Sequence, residues 1–85
     1  MAYEFEYEIY DPAGDLVERS SRKFGLYSLA KEVLRQRIQN YPNESTAFIH
    51  RVYADGKTGE ERKFIVKQSV MLELGLLKPK NIVLE

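Results

Sequence analysis

Eight residues near the N-terminus alternate without a fault. Tyr3, Phe5, Tyr7 and Ile9 fall on one side, and Glu4, Glu6, Glu8 and Tyr10 on the other. A period of two over this length fits a strand with one face on a core and one toward water, and it is incompatible with a helix. Asp11-Pro12-Ala13-Gly14 follows, with Asp first, Pro second and Gly fourth as a type I turn closed by a positive-φ residue prefers. The chain should therefore return over Leu16–Phe24 as a second, more polar strand.

A change of period marks the next element. Leu29, Ala30, Val33, Leu34, Ile38 and Tyr41 fall within one half of a helical wheel, opposite Lys31, Glu32, Arg35 and Gln39. This predicts an amphipathic helix over about residues 28–40, begun by Ser28 as its cap and ended before Pro42. Arg37 falls inside the apolar arc, so its guanidinium must snorkel outward or meet an acid, from the N-terminal strand or Glu44. A second hairpin is expected from Thr46–Ala54, the turn Asp55-Gly56-Lys57-Thr58-Gly59, and Glu61–Lys67. Val70–Leu74 is expected as a short helix capped by Ser69 and stopped by Gly75, and Asn81–Leu84 as a last short strand.

These elements give an α+β domain over residues 1–85: a mainly antiparallel sheet of about four strands in β-β-α-β-β-α order, with a final β, and one helix packed on one face. The expected core is Phe5, Tyr7, Ile9, Val17, Leu29, Val33, Leu34, Ile38, Phe48, Val52, Phe64, Val66, Val70, Leu74 and Leu77. A chain of 85 residues has little room for both a core and a deep internal cofactor cavity.

Several chemistries are excluded or disfavoured. With no cysteine there is no disulfide, thiolate nucleophile or thiolate zinc site. No apolar run approaches the roughly 18 residues of a membrane span, and the first residues lack a basic region followed by an apolar one, so a cytoplasmic protein is expected. Asn43-Glu44-Ser45 is then a chance match to a glycosylation sequon. His50 is the sole histidine and cannot build a two-histidine metal site. Gly56-Lys57-Thr58 resembles the end of a phosphate loop, but Arg51 stands where the first Gly is required, and a strand rather than a helix follows. No catalytic, cofactor-binding or metal-binding residue is assigned, no cofactor is expected, and the chain reads as non-enzymatic.

Charge is the other unusual feature. Net charge is zero, yet residues 1–18 hold six acids and no Lys or Arg, while the remainder holds all 13 basic residues and the other seven acids, a balance of +6. Two functions follow. The first is a protein-interaction module (an adaptor, inhibitor or accessory protein) that uses an open sheet face or the acidic strand, with Glu4, Glu6, Glu8 and Tyr10 meeting a protein partner. The alternative pairing for those acids is a basic strand in the same sheet, and Lys63 and Lys67 have the matching alternation. The second function is a small nucleic-acid-binding domain, with Arg19, Arg22, Lys57, Arg62, Lys63 and Lys67 taking phosphates beside exposed tyrosines. It requires those six to converge, and a pI of 6.6 is low for it. Long, β-prone strands at a sheet edge also favour homodimerisation.

One local stretch is similar to a known family. Leu74-Gly75-Leu76, Lys78-Pro79 and Ile82-Val83-Leu84 follow a strand-like Lys63–Lys67 in the manner of the end of AbrB/SpoVT-type DNA-binding domains, covering about a quarter of the chain. The sequence departs from that pattern in the extra Leu77, in Lys80 at the turn glycine and in lacking a Pro before the helix. The resemblance implies a helix before Gly75 and contact with DNA.

Overall fold

The computed structural model describes residues 3–68 and 70–77. Five strands and one helix follow in the order β1 (Tyr3–Tyr10), β2 (Leu16–Arg19), α1 (Tyr27–Arg37) continued by a 3₁₀ turn (Ile38–Asn40), β3 (Thr46–Tyr53), β4 (Thr58–Lys67) and β5 (Val70–Leu77). The strands form one sheet in the order β2-β1-β3-β4-β5, antiparallel throughout, so the fold is α+β.

The first turn forms as the sequence predicts. Asp11 Oδ1 accepts the amides of Ala13 and Asp15 at 3.0 and 2.9 Å, and Gly14 takes φ 95°. The returning strand is shorter than Leu16–Phe24. β2 stops at Arg19, and the backbone touches β1 again through Phe24, which exchanges hydrogen bonds of 2.7 and 2.9 Å with Phe5. Phe24 is thereby buried and stacks on Tyr7 with ring centroids 6.2 Å apart.

Helix α1 starts at Tyr27, and no side chain caps it; Ser28 does not serve as the cap. Its fully buried Ala30 and Leu34, with Ile38 just beyond, pack on Tyr7, Ile9, Ala47, Phe64 and Val66. The small Ala30 and Ala47 let helix and sheet approach closely. Leu29, expected in the core, is 40% exposed, because the helix sits rotated so that Ala30 rather than Leu29 points inward.

Two corrections concern strands. In β3 the register pairs Tyr7 with Ile49 and Ile9 with Ala47, so Ala47 and Ile49 face the helix and Phe48 lies on the opposite face. Val52, opposite Glu4, is buried but lies on that other face as well. Both sides of β3 are apolar, so its alternation could not say which side faces inward. The second correction is β5. Val70–Leu74 is not a helix but the start of an eight-residue strand paired with β4. A five-residue helix is marginal alone, whereas pairing satisfies a row of backbone groups along β4. Gln68, at φ 53°, turns the chain, and its amide donates to Asn43 Oδ1 at 2.5 Å. Among the described residues the sheet thus has five strands, against about four expected. Val17, Val70 and Leu74, expected in the core, are 41%, 54% and 55% exposed. Leu77 is described only as backbone in β5, and the strand expected at Asn81–Leu84 lies outside the described residues.

Candidate interaction surface

Because α1 covers one face, the other is left open among the described residues, and the register fixes what stands on it. Each strand contributes alternate residues, so cross-strand rows can be read directly. One row runs Glu6–His50–Glu61; the next runs Arg19–Glu8–Phe48–Lys63; a third runs Tyr10–Thr46–Ile65–Leu72. Val70, opposite Lys67, extends the apolar end along β5.

The geometry within these rows is specific. Arg19 donates two hydrogen bonds to Glu8 Oε2, at 3.2 and 2.8 Å. Tyr10 Oη donates to Glu8 at 2.9 Å, which with burial pushes the phenol pKa up. The Tyr10 ring meets Phe48 edge-on at 5.6 Å, and Lys63 Nζ lies 5.8 Å from the centre of the Phe48 ring. Glu8, Tyr10, Thr46, Phe48, Glu61 and Lys63 border a shallow concavity of about 510 Å³. His50 is 6% exposed, with Nε2 3.4 Å from Glu6 and Nδ1 3.8 Å from Glu61. The two carboxylates sit at different ring nitrogens, so they do not converge on one metal position, and no metal-ligating cluster occurs among the described residues.

The predicted partner-binding residues Glu4, Glu6, Glu8 and Tyr10 do share this face. Their pairing differs from the expectation of Lys63 and Lys67 opposite: β1 lies beside β2 and β3, so Glu8 takes Arg19 and Glu6 approaches His50. The charge split is in part folded away, since Glu18 also takes Arg37. Among the described residues Glu4, Asp11 and Asp15 make no ion pair.

The six predicted phosphate-binding residues do not converge. Arg19, Lys63 and Lys67 stand on the open face, while Arg62, adjacent to Lys63 along β4, points to the helix side and bonds Glu73 at 3.0 Å. Arg22 lies over the Phe24 ring at 4.7 Å, Lys57 sits in the β3–β4 turn, and Lys67 bonds Glu44 at the far end of β4. Arg37 does snorkel, and its partner is Glu18 of β2 rather than an acid of the N-terminal strand or Glu44.

Phe48, Ile65 and Leu72 were not singled out as surface residues. Their signal was present in the sequence: β3 and β4 carry apolar residues on both alternations, more than a single covering helix can bury.

No protein-family model matches this chain, and comparison with curated proteins and with solved structures gives no match. The local likeness to AbrB/SpoVT-type domains fails on structure, since the helix it implies is strand β5. Among the described residues no helix is long and apolar enough to cross a membrane.

Proposed function

We propose that this chain is a non-enzymatic protein-interaction module that docks a protein partner on its open sheet face. The observation that carries the reading is the apolar strip Phe48–Ile65–Leu72 on the face that α1 does not cover, continued by Val70 at 54% exposure. Contiguous apolar surface of this kind is a usual mark of an interface. Strand spacing and rise give the face an area of roughly 600 Å², of the order of the ~800 Å² per partner in a standard interface. Glu4, Glu6 and Glu61 border the strip, so the partner is expected to bring apolar side chains over Phe48 and Leu72 and basic groups over the β1 end.

The four carboxylates Glu4, Glu6, Glu8 and Glu61 on this face disfavour a phosphate backbone, so nucleic acid is the weaker reading. Self-pairing through β5, an edge strand among the described residues, is a competing use of the same strip.

The test is site-specific photo-crosslinking from position 72, followed by calorimetry on any protein identified. Leu72→Lys and Phe48→Ala should each weaken its binding about tenfold or more, as truncation of a buried anchor does. Arg35→Glu, on the solvent side of α1, should change it less than about twofold. Equal binding by wild type and Leu72→Lys refutes the proposal. So does crosslinking only to a second copy, or tight salt-sensitive binding of random DNA or RNA that Leu72→Lys abolishes.

A further inference from the structure

A second concavity lies on the other face of the sheet, beside the start of α1. The buried residues of α1 sit over Tyr7, Ile9, Ala47 and Phe64, and the helix begins at Tyr27, leaving the opposite end of β1, β3 and β4 uncovered. There Phe5 and Ile49 form an apolar floor, and the rings of Tyr3 and Tyr27 form walls. Arg51 and Arg62 stand over it. Ile49 is opposite Arg62 in the register, so Arg51, two residues further along β3, is its diagonal neighbour on the same face. The space enclosed is about 260 Å³.

Both guanidinium groups lie over a tyrosine ring. Arg51 Cζ lies 4.7 Å from the centre of the Tyr3 ring, and Arg62 Cζ lies 5.0 Å from that of Tyr27. A ring face occupies none of a guanidinium's N–H donors, which can then meet an oxyanion. Their present partners leave donors over. Arg62 gives one hydrogen bond to Glu73, which Lys31 also approaches at 3.6 Å. Among the described residues Arg51 meets one carboxylate, Glu60 at 3.5 Å, in a pair whose side chains are 36% and 46% exposed, and lies beside the Tyr53 hydroxyl. Three cations thus face two carboxylates. Tyr27 Oη is itself buried, with Arg62 beside it, so the ring rather than the hydroxyl lines the concavity.

We propose that this concavity binds a small organic anion, a carboxylate or phosphate monoester carried on a flat apolar group. The oxyanion takes N–H groups of Arg51 and Arg62, and the apolar part lies on Phe5 and Ile49 between the two tyrosine rings. The volume is slightly below the ~300–1,000 Å³ of typical ligand pockets, which favours a single-ring acid over a nucleotide. The site is on the opposite face from the proposed docking strip, so either can fail without the other.

Nuclear magnetic resonance titration of the full chain with benzoate, phenyl phosphate, inorganic phosphate and benzamide tests it. Benzoate or phenyl phosphate should shift the amides of Phe5, Tyr27 and Ile49 and the Nε–H signals of Arg51 and Arg62. The tighter of the two identifies the acid class. Neutral benzamide and ring-free phosphate should each bind about tenfold more weakly, since each lacks half of the recognition. Arg51→Gln should weaken the better ligand about tenfold, and Glu60→Gln, which frees Arg51 from its competing carboxylate, should tighten it about threefold. Leu72→Lys should leave it unchanged. The proposal is overturned if benzamide binds as well as benzoate, if the shifts fall elsewhere or are absent, or if Glu60→Gln fails to tighten binding.

Discussion

Glu18 joins more of this fold than any other acid described, and Glu18→Gln is the substitution that tests it. One carboxylate accepts two hydrogen bonds from Arg37, at 2.8 and 3.0 Å, one from Tyr7 Oη at 2.8 Å and one from Tyr41 Oη at 2.6 Å. It thereby ties β2 to β1, to the end of α1 and to the residue after the 3₁₀ turn. The Arg37 bonds, with those from Tyr41 and Tyr7, outweigh burial and hold its pKa down at about 2, from an ordinary 4.5. At about 1.4 kcal/mol per unit the ceiling on this stabilisation is about 3 kcal/mol. Arg37 is half exposed, and solvent screening reduces the figure to about 1.5–2 kcal/mol. Because the folded pKa is the lower one, the contribution is complete above pH ~4.5 and is lost as pH falls toward 2. Glutamine keeps the shape and an acceptor for the tyrosines but removes the charge. Urea denaturation should therefore show Glu18→Gln less stable by about 1.5–2 kcal/mol at pH 7, with Tm lower by about 10 °C. The difference should shrink to a few tenths of a kcal/mol near pH 2. A loss at pH 7 below about 0.5 kcal/mol would show that the ion pair is screened away. An equal loss at both pH values would show that shape, not charge, is what Glu18 contributes.

Two further predictions concern packing and the first turn. Leu34, fully buried against the sheet, should lose about 3 kcal/mol on truncation to Ala, whereas the adjacent-turn Leu29, 40% exposed, should lose less than about 1 kcal/mol, both read by urea denaturation. Equal losses would mean that the helix is rotated from its described position. Gly14→Ala meets no neighbour but must hold φ 95°, so it should cost about 1 kcal/mol by the same assay, and a neutral result would mean that the turn relaxes into another type.

Local chemistry set much of this fold. The alternation of Tyr3–Tyr10, the Asp11–Gly14 turn, the amphipathic period before Pro42 and the second hairpin each carry their own signal, because each is decided by sterics and by apolar spacing within a dozen residues. Glu4, Glu6, Glu8 and Tyr10 could be placed together on one face from their spacing alone. Three things depended on tertiary structure. Val70–Leu74 has helix-forming residues, and only the unpaired row along β4 makes it a strand. β3 is apolar on both alternations, and only pairing with β1 turned Ala47 and Ile49 toward the helix and left Phe48 outside. Strand order, which no local pattern encodes, put β3 between β1 and β4. That placement gave Glu6 His50 as its neighbour rather than a lysine and brought Arg51 and Arg62 together beside Tyr27.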